Sequence, residues 1–170
     1  MKKKFFWFCG VILLCLLVFY GCNRHTRDAI PSSPNHVGQV WMYPDSNLTP
    51  GAVMSGVTAE DICRHGYTKE VRDVPVSLKR EVCRRYNVSY PTPHGAYEID
   101  HFIPLELGGS NEVTNLWPEP ADPHPGFHEK DVVENYLHHE VCKGRMTLQE
   151  AQEAIWRDWY AVYLKIKDKK

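Results

Sequence analysis

Between Tyr97 and Pro118 the chain is open to very few folds, because an acid, an imidazole and amides are set among strand-forming residues around a double glycine. Tyr97, Ile99, Phe102 and Ile103 are β-branched or aromatic and favour an extended strand, on which neighbouring Asp100 and His101 point to opposite faces. Gly108-Gly109-Ser110-Asn111 supplies a turn where φ > 0 is available, and Asn115-Leu116-Trp117 returns as a second strand. A helix is expected from Glu129 to Lys143, with Val132, Val133, Tyr136, Leu137 and Val141 as its apolar stripe and Gly144 at its C-terminal end. The order strand, turn, strand, helix predicts a small α+β domain.

The pattern DHxxPLxLGGxN, running from Asp100 to Asn111 and followed by Asn115-Leu116-Trp117-Pro118, resembles the HNH endonuclease family. From Gly66-Tyr67-Thr68 to the Ala151-Gln152 helix, the chain is similar to small secreted or lipoprotein HNH-domain proteins of bacteria. The resemblance implies a ββα-metal finger with additional packing helices, built around one divalent cation. Carried over residue by residue, it makes Asp100 a metal ligand, His101 the general base that activates water, and Asn115 the residue that orients His101. The last metal ligand is expected at the start of the following helix. His128 is favoured there, being nearer the first helical turn, and His124, spaced from Asn115 as in many family members, is the alternative.

The chemistry suits those residue types. A phosphodiester resists hydrolysis through its negative charge, so a nuclease needs a cation on the phosphate and a base aimed at an in-line water. An oxygen ligand with an imidazole fits Mg²⁺ or Mn²⁺ and also admits Zn²⁺. The expected function is metal-dependent hydrolysis of phosphodiester bonds in nucleic acid, DNA ahead of RNA, without sequence specificity. The alternative is an exported metal-binding scaffold or binding protein that has an HNH-like finger but no catalysis.

The rest of the chain supports this centre. Lys2, Lys3 and Lys4 followed by an apolar run to Tyr20 make residues 1–21 a signal peptide or membrane anchor. Gly21-Cys22 resembles a lipobox, which would make Cys22 a lipidation site in the bacterial cell envelope. Residues 22–57 are rich in Pro, Ser, Asn and Gly and read as a linker or loosely structured lead-in. Residues 58–166 form the domain, and 167–170 a basic tail. Thr58 caps a short turn, while Gly66-Tyr67-Thr68 and Val71 to Pro75 read as extended. Ser77 caps a helix to Tyr86, and Thr147-Leu148-Gln149-Glu150 is a capping box opening a last helix whose stripe includes Ala151, Ile155 and Trp159.

Charge limits the partners. Without the three lysines of the leader, the 20 basic residues fall to 17 against 21 acidic, so the remaining chain is no general polyanion binder. Affinity for nucleic acid must be local, and Arg72, Arg80, Arg84 and Lys130 are the candidate phosphate contacts. Of the cysteines, Cys63, Cys83 and Cys142 lie in the domain. Export permits a disulfide, for which Cys63 and Cys142 are the expected pair, although sequence alone leaves the connectivity open.

Overall fold

The computed structural model describes residues 42–122 and 124–169; the leader, Cys22 and residues 39–41 lie outside the described residues. Among the described residues the fold mixes helix and strand. Three helices, α1 (Ala59–Ile62), α2 (Tyr67–Val71) and α3 (Val76–Arg85), precede strands β1 (Tyr97–His101) and β2 (Leu116–Pro120), and helices α4 (Phe127–Cys142) and α5 (Leu148–Lys167) follow. The strands form a two-stranded antiparallel sheet in which Ile99 faces Pro118, Asp100 faces Trp117 and His101 faces Leu116. The link between them tightens into single-turn helices at Leu105–Leu107 and Val113–Asn115.

Close backbone approach explains the double glycine. A Cβ on Gly109 would lie 1.7 Å from the carbonyl oxygen of Ile103, so no other residue fits that turn. Two apolar clusters hold the sheet. Val133, Leu137 and Val141 of α4 meet Ala151, Ile155 and Trp159 of α5 over Leu107. On the other side Val82 of α3 and the adjoining Tyr86 pack with Phe102, Leu116 and Trp117. Burying each large side chain contributes about 1.5–3 kcal/mol, which is why the strands persist with only one neighbour each.

Three expectations are corrected. Tyr67–Val71 is helical instead of extended, because Tyr67 turns into the core and is 4% exposed. Helix α3 starts at Val76, with Pro75 and not Ser77 at its cap. Residues 42–57 are not a loose lead-in but a strap over the sheet and α5. Thr49 is buried, its hydroxyl donating to the Leu116 carbonyl and accepting from the Tyr86 hydroxyl. The indoles of Trp156 and Trp159 donate to the carbonyls of Pro50 and Met42, and Met54 N donates to Gly108 O. Prolines without donors of their own leave carbonyls for side chains elsewhere to satisfy, which composition alone does not reveal.

Cys63, following α1, is bonded to Cys142 at the end of α4, while Cys83 is a buried free thiol. The bridge spans 79 positions and restricts the unfolded chain severely. Reducing it, or the Cys63→Ser change, is expected to lower stability by about 4 kcal/mol in urea unfolding. A midpoint unmoved by reductant would contradict this role.

Candidate active-site cleft

Strand β1 delivers Asp100 and His101 to the site, and the turn after it determines how the imidazole is held. Asn115 does not orient His101, contrary to expectation. It is fully buried and spends its amide on backbone: Nδ2 donates to the carbonyls of Ile103 and Ser110, both at 2.9 Å, and Oδ1 accepts from Ile103 N at 3.0 Å and Ala52 N at 3.2 Å. Asn115 therefore staples the strand, the turn and the strap together.

Asn111 takes the orienting position. Its Nδ2 donates to the Val71 carbonyl at 2.7 Å, which turns Oδ1 toward His101 Nε2 at 3.1 Å. A carbonyl oxygen only accepts, so Nε2 carries the ring proton and Nδ1 keeps its lone pair. Nδ1 is buried without a protein partner. Burial lowers the His101 pKa from its ordinary value, against the opposing Asn111 hydrogen bond, so the ring is neutral near pH 7. An imidazole in that state is a proton acceptor.

Lys130 also departs from expectation. Expected to meet phosphate, it is completely buried instead. Its Nζ donates to Asp100 Oδ2 at 2.6 Å, to the His101 carbonyl at 2.9 Å and to Glu134 Oε1, and lies 3.4 Å from Glu119 Oε2. Three acceptors use all three ammonium protons, leaving none for a ligand. Burial opposes charge on Lys130, yet Asp100, Glu119 and Glu134 override it and raise its pKa well above the usual range.

One ammonium cannot balance three carboxylates, of which Glu119 is buried and Asp100 and Glu134 are partly exposed, and they divide accordingly. Burial works to raise Asp100, but Lys130 overrides it and keeps the carboxyl below its ordinary value. Burial lifts Glu119 well above its ordinary value despite Lys130. Burial likewise pushes Glu134 up to about 8, so at neutral pH it holds a proton. Both Glu119 oxygens lack a hydrogen-bond partner.

Asp100, His101 and Glu134 border a cleft of about 160 Å³ lined also by Thr68, Arg72 and Glu106, whereas Lys130 and Glu119 lie behind its lining. Of the four expected phosphate contacts, only Arg72 lines it. Arg80 sits 5.7 Å above the ring of Tyr90, and Arg84 is paired with Glu81 at 2.7 and 2.8 Å; neither belongs to the cleft. Neither expected histidine ligand is among the residues that line the cleft. The His128 ring packs on Phe127 at 4.2 Å, and His124 contacts Glu129 at 3.2 Å and Asp122 at 3.6 Å.

A resident divalent ion does not fit this donor set while Lys130 stands between Asp100 and Glu134. Among the described residues, the group of three ligating side chains with converging donor atoms is Cys63, His138 and Cys142, and there both sulfurs are committed to the disulfide. Sequence reasoning missed Asn111, Glu119 and Glu134. The Lys130–Glu134 spacing of four was the available signal, since such residues face one another on a helix. Comparison with protein-family models, curated proteins and solved structures finds no match.

The raised Glu134 carboxyl has a measurable consequence. Between its ordinary 4.5 and about 8 the folded chain keeps a proton that the unfolded chain releases, so stability falls as pH rises through that window. Glu134→Gln is expected to flatten that part of the decline, measured as urea-unfolding free energy against pH. A slope identical to wild type would contradict the assignment.

Proposed function

We propose that the chain is an exported nuclease of the HNH type that hydrolyses phosphodiester bonds in nucleic acid without sequence specificity, at the cleft between β1 and α4. The observation that carries this reading is His101, a neutral imidazole with its tautomer set by Asn111 and its Nδ1 unpartnered. Arg72 is the cleft's arginine for the phosphate, and its guanidinium suits non-bridging oxygens. His101 Nδ1 takes the proton of the attacking water. Protonated Glu134, on the same cleft, returns a proton to the leaving 3′ oxygen. Environments that push a histidine down and a carboxyl up separate base from acid at one pH. The disulfide agrees with an oxidising compartment.

The Mg²⁺ or Mn²⁺ expected from the resemblance would need the Asp100 and Glu134 oxygens that Lys130 now engages, and no step above uses one. That observation favours the second reading, a binding scaffold without catalysis.

Plasmid nicking by the full chain, across pH and with Mg²⁺, Mn²⁺ or EDTA, tests the proposal beside His101→Gln, which keeps volume at a buried position. Wild type is expected to nick and His101→Gln to lose at least about 100-fold in rate with its melting transition retained. A folded wild type that cleaves neither DNA nor RNA under any condition would leave the scaffold reading standing.

A further inference from the structure

We propose that the Lys130 ammonium is the resident cation of this site, occupying the position a divalent ion would take between strand β1 and helix α4. The inference stands whether or not the cleft is catalytic, because it rests on the acceptors around Nζ. Those acceptors are all oxygens: a carboxylate from β1, a carbonyl from β1, a carboxylate one turn along α4, and Glu119 of β2 at 3.4 Å. Such a set suits a hard cation. It is spaced, however, for an ammonium. Oxygens hydrogen-bonded to one nitrogen spread farther apart than oxygens bound to Mg²⁺ at about 2.1 Å. Asp100, Glu119 and Glu134 accordingly do not converge as a metal-holding group among the described residues.

Two cations cannot share the place. Bringing a divalent ion to Asp100 and Glu134 would require the ammonium to give up its three acceptors and leave a position with no exposure. The lysine is tethered, so it competes as an intramolecular cation at a concentration no free ion matches. Glu119 supplies an independent sign of the same design. It is 1% exposed and lies 3.4 Å from Nζ, so a third carboxyl faces the place the ammonium holds. Removing the ammonium without moving the backbone should turn the pocket into a metal site.

The test is binding of Mn²⁺ alone to the full chain, followed by the loss of the free-ion electron paramagnetic resonance signal and by melting temperature. Wild type is expected to take up no stoichiometric Mn²⁺ and to melt at the same temperature with or without EDTA. Lys130→Gly is expected to melt lower, to bind one Mn²⁺ at least about tenfold more tightly than wild type, and to recover melting temperature as it does so. Adding Asp100→Asn to Lys130→Gly should abolish that uptake. Stoichiometric uptake by wild type that Asp100→Asn removes would overturn the proposal, and so would a folded Lys130→Gly chain indifferent to Mn²⁺. The wild-type measurement decides alone should Lys130→Gly fail to fold. Nicking plays no part in it, so loss of the nuclease reading leaves the result interpretable.

Discussion

The ammonium of Lys130 is the interaction on which the site depends. It joins the end of β1, through Asp100 and the His101 carbonyl, to α4, through Glu134, and it faces Glu119 of β2. A buried charge of this kind is costly to desolvate and is retained only with near-complete pairing. Here every proton of the ammonium has an acceptor, so the strands and helix are registered against one another at the residues that border the cleft. The apolar clusters supply most of the folding free energy on either side, and the charged centre specifies which face of α4 meets the sheet.

From that constraint follow the states of the neighbouring groups. With one cation among three carboxylates, Asp100 stays ionised while Glu119 and Glu134 favour protonation. His101 is kept neutral by burial and turned by Asn111, which is itself anchored on the Val71 carbonyl. A base and an acid therefore meet on one cleft with Arg72 as its guanidinium. The asymmetry comes from placement, since the side chains themselves are ordinary.

Much of this was legible in the chain. Alternation and the double glycine located the two strands, and the capping residues Thr58 and Thr147 marked helix starts that are present. Val133, Leu137 and Val141 of the α4 stripe and Ala151, Ile155 and Trp159 of the α5 stripe are buried as expected, whereas Val132 is exposed and Tyr136 only partly covered. What escaped was tertiary. Asn111 and Asn115 are chemically identical, and only the turn geometry decides that Asn115 saturates backbone while Asn111 reaches the imidazole. Lys130 read as a phosphate contact because its partners lie 30, 11 and 4 positions away, and only the last spacing is local. The strap at residues 42–57 escaped because its carbonyls accept from the distant indoles of Trp156 and Trp159 and its Thr49 hydroxyl accepts from the Tyr86 hydroxyl.

The most direct measurement is the coupling between Asp100 and Lys130 in a double-mutant cycle of Asp100→Asn and Lys130→Met, read as unfolding free energy near pH 7. Asp100→Asn takes the β1 carboxylate from the buried ammonium, Lys130→Met leaves Asp100 without its cation, and the double change removes the pair. A coupling above about 2 kcal/mol is expected for a buried, hydrogen-bonded pair at the centre of the site. A value below about 0.5 kcal/mol, the level of an exposed surface pair, would contradict the central place given to Lys130.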